Sequence, residues 1–182
     1  MSRLPLARAL SIAGHPFLLI PLTVAIVTHN WVWTTVVGAC TTLPLTIITW
    51  RKVRRGTWSD FDVSRRDQRT SLYLVAAPLL AITFGLLFWL GAGPRLLRGV
   101  AAGALMLVAG VAGNRLLKTS LHMMFGAFCA VTIARAYPLS LALSLPFLAA
   151  LAWSRHALGR HTWMEIGVGV VVGAGAGVLA FV

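Results

Sequence analysis

Six stretches of this chain run for sixteen residues or more without an Asp, Glu, Lys or Arg: 9–50, 70–94, 99–114, 119–134, 136–154 and 166–182. A helix that crosses a bilayer needs about 20 apolar residues, or about 17 when flanking basic side chains snorkel to the interface. The first stretch is long enough for two spans, with a natural break at Thr28-His29-Asn30-Trp31. The spacing predicts seven helices, near 9–28, 31–50, 71–92, 96–114, 119–135, 138–153 and 163–182. The fifth and sixth are short. With 58% hydrophobic and only 11% charged residues, the chain lacks the charge to cover a soluble surface. The expected fold is an all-α polytopic transmembrane bundle of six to seven spanning helices, a single domain over residues 1–182.

Arg3 and Arg8 before an apolar run imitate a signal peptide, but no small-residue cleavage site precedes His29 and a second apolar run follows at once. A retained first helix is expected. Cys40 and Cys129 each fall inside a predicted span, so neither a disulfide framework nor a zinc site is indicated. The chain is apolar to Val182, and no soluble domain is expected after it. Helix 7 carries Gly167, Gly169, Gly173, Gly175 and Gly177, a pattern for close helix packing.

The net charge is +12. No basic-aromatic interleaving or nucleic-acid module accompanies it, so membrane lipids with anionic head groups are the expected partners and nucleic acid is not. Seven spans put the amino terminus and the loops 51–69, 115–118 and 154–162 on one side. That side then holds thirteen basic residues against Arg95, Arg98 and Arg135 on the other. By the positive-inside rule the basic side is cytoplasmic, and the expected location is a bacterial inner (cytoplasmic) membrane.

Only four carboxylates exist: Asp60, Asp62, Asp67 and Glu165, all predicted on the basic side. Ionisable groups near a bilayer are costly and often functional. In the segment from Ser154 to Glu165, a helix starting near His161 puts Glu165 four residues on and on the same face. A carboxylate bonded to one imidazole nitrogen fixes the tautomer and frees the other as a nucleophile. Arg155 offers a planar fork for phosphate oxygens. The alternative is a loop whose His and Arg meet lipid head groups. Lys118-Thr119-Ser120-Leu121-His122 opens helix 5 on the same side, where free backbone N–H groups favour anions. Its bland alternative is an interfacial Lys-Ser-His cluster.

Ser154-Arg155, five residues, His161, three residues and Glu165 resembles the third signature of the type 2 phosphatidic acid phosphatase superfamily of integral membrane lipid phosphatases. Glu165 stands where the family has Asp. Thr119-Ser120-Leu121-His122 is similar to its second signature, with the Pro and Gly missing. The first signature, Lys and then Arg-Pro after six residues, is absent. The resemblance covers 118–122 and 154–165. It implies metal-independent hydrolysis of a lipid phosphate or diphosphate, without a cofactor. His161 would be the nucleophile, Glu165 its orienter and His122 the proton donor. Arg155 and Ser120 would bind phosphate, with Lys118 an extra clamp.

A substitute for the missing signature is expected in Ser59–Arg69. If that segment is helical, Asp62, Arg66 and Arg69 share a face, with Arg66 or Arg69 reaching phosphate and Asp62 bracing the guanidinium. The alternative is a surface helix laced by its own ion pairs. Asn114 and Arg115 are near enough in the chain to support the site. Two other functions stand beside the phosphatase. One is a magnesium-dependent prenyl or alcohol-phosphate transferase using Asp60, Asp62 and Asp67, although such enzymes carry two acidic motifs or a different aspartate spacing. The other is a non-enzymatic transporter or assembly protein.

Overall fold

The computed structural model describes residues 3–114 and 117–180, which form helices and no strand. Helices α1 (Leu4–Ala13), α2 (Pro16–Thr28) and α3 (Trp31–Arg54) come first. Then come α4 (Arg66–Trp89), α5 (Pro94–Asn114), α6 (Leu121–Ala136), α7 (Leu141–Ala157) and α8 (Trp163–Leu179). Three of these (α3, α4 and α5) are long and apolar enough to cross a membrane, as is Pro138–Ala157, which contains α7. The α1–α2 pair passes the same test as one broken span. Helices α6 and α8 are apolar but shorter, 16 and 17 residues. The outward side chains, among them Leu74, Phe88, Leu105, Val108, Leu143 and Val171, are apolar and exposed. Lipid is the solvent that such a surface fits. This is an integral membrane helical bundle.

The first span departs from the expected continuous helix over 9–28. Helices α1 and α2 meet at 46°. The cause is local: Pro16 opens α2 and disfavours helical backbone at His15, which is extended at φ −69° and ψ 133°. The His15 side chain caps α2, its Nδ1 accepting from the Phe17 N–H at 3.2 Å. Gly14 packs where a Cβ would overlap the Leu151 side chain, so the bend seats α1 against α7.

Helix α6 lies in the middle of the bundle, with Met124, Phe128 and Cys129 in a core cluster shared with Met106 of α5 and Ala176 of α8. Both cysteines are free thiols. Helices α6 and α8 run parallel and touch through glycine. Gly169 meets the Ser120 carbonyl and Met123, Gly173 meets the Met124 backbone, and Gly177 meets Val131 and Phe128. Of the five glycines in the sequence stripe, Gly167 and Gly175 face open space. The spacing of four therefore selects one face and brings the first turns of both helices together. The Ser120 N–H donates to the Glu165 carbonyl at 3.2 Å, fixing their register.

Two further boundaries differ from expectation. Helix α7 continues past residue 153 to Ala157, so Arg155 is carried on its last turn and not in a loop. The segment before α4 is not a helix: residues 55–65 turn, and helix begins at Arg66. An Asp60 Oδ1 bond to the Ser64 N–H and Oγ shapes this turn, at 3.2 and 2.9 Å.

Candidate functional site

The meeting of the α6 and α8 starts with the end of α7 builds a buried polar site. Thr162 caps α8, accepting from the Glu165 N–H at 3.3 Å, while Glu165 Oε2 accepts from the Thr162 N–H at 3.1 Å. This reciprocal capping box holds the carboxylate beside the preceding residue. The same Oε2 lies 3.1 Å from His161 Nδ1, and the Lys118 carbonyl lies 3.0 Å from that nitrogen. Both neighbours are acceptors, so Nδ1 carries the proton and Nε2 keeps its lone pair. Burial, and then the charges of Arg69, Arg155 and Lys118, push the His161 pKa down to about 3. The imidazole is therefore neutral at physiological pH.

Around this histidine, positive charge is buried. Arg155 is 1% and Arg69 2% exposed. A buried guanidinium costs several kcal/mol unless it is paired. Arg155 Nη1 donates to Asp62 Oδ2 at 2.6 Å and to Ser11 Oγ at 2.5 Å. Arg69 donates from Nε to the Val63 carbonyl at 3.2 Å and from Nη1 to the Thr119 carbonyl at 2.6 Å. Lys118 is half-buried, and burial lowers its pKa; Glu165 opposes that shift, and Arg69, Arg155 and Arg160 add to it.

Three buried polar atoms here lack a hydrogen-bond partner among the described residues: Ser120 Oγ, His122 Nε2 and Arg155 Nε. Ser120 precedes the first turn of α6 without using its hydroxyl as a cap. The hydroxyl and the N–H groups of that turn are thus both free for another acceptor. Leaving a buried polar group unsatisfied costs about 1–3 kcal/mol, so each of these three atoms calls for an explanation.

The structure thus brings together His161, Glu165, Ser120, Arg155, Lys118 and Arg69, with His122 close by. Other expected residues are placed elsewhere. Arg66 is exposed, and its carbonyl accepts from Asn114 Nδ2 at 3.1 Å, so both stand outside the buried cluster. Asp62, Arg66 and Arg69 do not share a helical face, because Asp62 lies in the turn. Its carboxylate braces Arg155 and not Arg66 or Arg69. Arg115 lies outside the described residues.

Residues unremarked in the sequence complete the surroundings. The rings of His15 and His122 meet edge to face with centroids 5.0 Å apart. Arg160 Nη1 donates to Asp60 Oδ2 at 3.1 Å and to Ser64 Oγ at 2.6 Å, tying the turn to the α7–α8 loop. His15, Asp62 and His122 bring ligand atoms within 4.8 Å of one another, a geometry open to a metal ion. The chemistry fits a cation poorly: Arg155 already bonds that carboxylate, and His15 Nδ1 is engaged by a backbone N–H, leaving the proton on Nε2.

An apolar cavity of about 90 Å³ starts at His15, Asp62 and His122 and abuts a second of about 420 Å³ through shared lining at Ile20, Thr41, Leu80, Gly103 and Phe125. The larger extends along α6 to Thr132 and Ala136. From His122 to Thr132 the helix rises about 15 Å, roughly half a bilayer's hydrocarbon thickness. On the other side of Asp62, a cavity of about 520 Å³ is lined by Arg8, Ser11, Asp60, Phe61 and Arg160. No protein-family model, curated protein or solved structure matches this chain.

Proposed function

We propose that this protein is a membrane phosphatase that hydrolyses a lipid phosphate or diphosphate through a phosphohistidine on His161. The observation that carries the reading is the His161 imidazole, held by Glu165 and the Lys118 carbonyl with Nε2 unprotonated, among buried guanidiniums and unpartnered donors. The resemblance of 118–122 and 154–165 to the type 2 phosphatidic acid phosphatase superfamily, which rests on these same residues, points the same way.

In the proposed reaction, His161 Nε2 attacks phosphorus in line, forming a P–N bond as the bond to the leaving oxygen breaks. With the anionic substrate seated beside it His122 takes up a proton, delivers it to that oxygen and then takes one back from the attacking water. Water breaks the P–N bond, releasing inorganic phosphate and restoring neutral His161. Arg155, Arg69, Ser120 and the α6 N–H groups hold the equatorial oxygens, and Lys118 adds charge. Arg69 takes the place of the absent first signature.

The substrate tail fits the apolar cavities that begin at His122. An isoprenoid is favoured over a glycerolipid, because nothing among the described residues reads an elaborate head group. The basic end, with the site, faces the cytoplasm of a bacterial inner membrane. Against a magnesium-dependent transferase stands the pairing of each loop carboxylate: Asp60 with Arg160, Asp62 with Arg155 and Asp67 with Arg65. The test is phosphate release from prenyl and glycerolipid phosphates with and without chelator. Release that survives chelator and disappears in His161→Ala supports the phosphatase. Strict magnesium dependence moves the reading to a transferase, and unimpaired biological activity in His122 and His161 variants moves it to a non-enzymatic role.

A further inference from the structure

Asp62 occupies the place where an anion is most expected. Its Oδ2 is 2.6 Å from Arg155 Nη1 and its Oδ1 is 3.8 Å from His122 Nε2. A ring nitrogen of His15 lies within 4.8 Å of the same carboxylate. Carboxylate and phosphate compete for the same guanidinium fork. Phe61 and Asp62 line both the outer cavity and the inner apolar one, so this pair divides them. The seat is also held under strain: Val63 is buried with φ at +48°, a backbone region that β-branched residues avoid. Arg160 clamps Asp60 and Ser64 on either side, and Arg69 holds the Val63 carbonyl.

We propose that Asp62 is an internal competitor, an anion already in place that a substrate phosphate must displace from Arg155 and His122, and that it sets the affinity threshold of the site. The inference rests on the phosphatase reading and names the substrate class: lipids with a terminal, dianionic phosphate. A phosphodiester lipid carries one phosphate charge, and exchanging it for a carboxylate gains no attraction from Arg69, Arg155 and Lys118. A dianion gains one further charge against all three. The competitor therefore sets an affinity threshold that terminal phosphates clear. The abundant phosphodiester lipids of a bilayer fall below it.

Binding to the full-length protein in detergent tests this without turnover, using inorganic phosphate at alkaline pH and dimethyl phosphate as probes. Asp62→Asn should tighten both by about the same factor, about tenfold or more, because one charge-assisted bond no longer has to be broken. Asp62→Glu, which keeps the charge, should bind both weakly, as the parent does. In the unaltered protein, saturating phosphate should speed amide exchange in residues 60–64, although ligands ordinarily slow it. Unchanged or weaker binding in Asp62→Asn, or slowed exchange at 60–64, overturns the competitor and leaves Asp62 a brace. Tighter binding in Asp62→Asn with no phosphate released from any lipid keeps the competitor and overturns the phosphatase reading.

Discussion

His161 Nδ1 lies 3.1 Å from Oε2 of Glu165, one helical turn further along the chain. Glu165 is the third residue of α8, and its side chain turns back past the start of the helix. Its extra methylene over Asp lets one oxygen serve both the imidazole and the Thr162 N–H. Glu165→Gln should therefore lower kcat by about 10²–10⁴-fold, as loss of an imidazole-orienting carboxylate does. Glu165→Asp should lose activity and also about 1 kcal/mol of cap stability. Steady-state kinetics with thermal unfolding separates the two effects.

Arg66 and Arg69 are three residues apart, yet one is exposed and the other buried against two carbonyls. Arg69→Ala should destabilise the protein by about 3 kcal/mol or more, since it leaves the Val63 and Thr119 carbonyls without their donor, and should abolish activity. Arg66→Ala should change stability by about 0.5 kcal/mol or less. Denaturation midpoints and phosphate release on the pair check the contrast.

The α8 glycines make an internal control. A Cβ at position 173 would run into the Met124 carbonyl, whereas one at 167 meets open space. Gly173→Ala should cost about 1–3 kcal/mol and reduce activity by separating Ser120 from Glu165. Gly167→Ala should be neutral or stabilising by about 0.5–1 kcal/mol through helix propensity. Thermal unfolding in detergent reads both.

His161 has a folded pKa of about 3 against an ordinary 6.5. Between those values the unfolded chain binds the extra proton, so stability falls as pH drops from 6.5 towards 3. Replacing the imidazole with Gln should remove that part of the pH dependence. Ring nitrogen NMR should show His161 neutral, with the proton on Nδ1, throughout pH 5 to 8. An imidazolium signal at pH 6 would refute this.

What could be read from the chain was local. The charge-free stretches give the apolar helices, of which four, or five with the bent first pair, are long enough to cross a membrane among the described residues, and the spacing of His161 and Glu165 places both groups on one turn because a helix start makes that geometry by itself. The Gly169-Gly173-Gly177 face was legible as packing, though not which of five glycines would be used. Two of the expectations that failed show why. Ser59–Arg69 has helical charge spacing, but Asp60 bonds ahead to Ser64 and folds the segment into a turn. The first span breaks because Pro16 and the Gly14–Leu151 contact bend it, and neither is visible in hydropathy. Asp62 and Arg155, 93 residues apart, meet only through the tertiary fold, as do His15 and His122.

The most direct test of the central claim is trapping the covalent intermediate. Purified protein mixed with a 32P-labelled lipid phosphate and quenched in alkali should carry acid-labile, base-stable label on His161. Label should be absent from His161→Gln. Phosphate release that proceeds with no label on His161, or that persists in His161→Gln, would contradict the account.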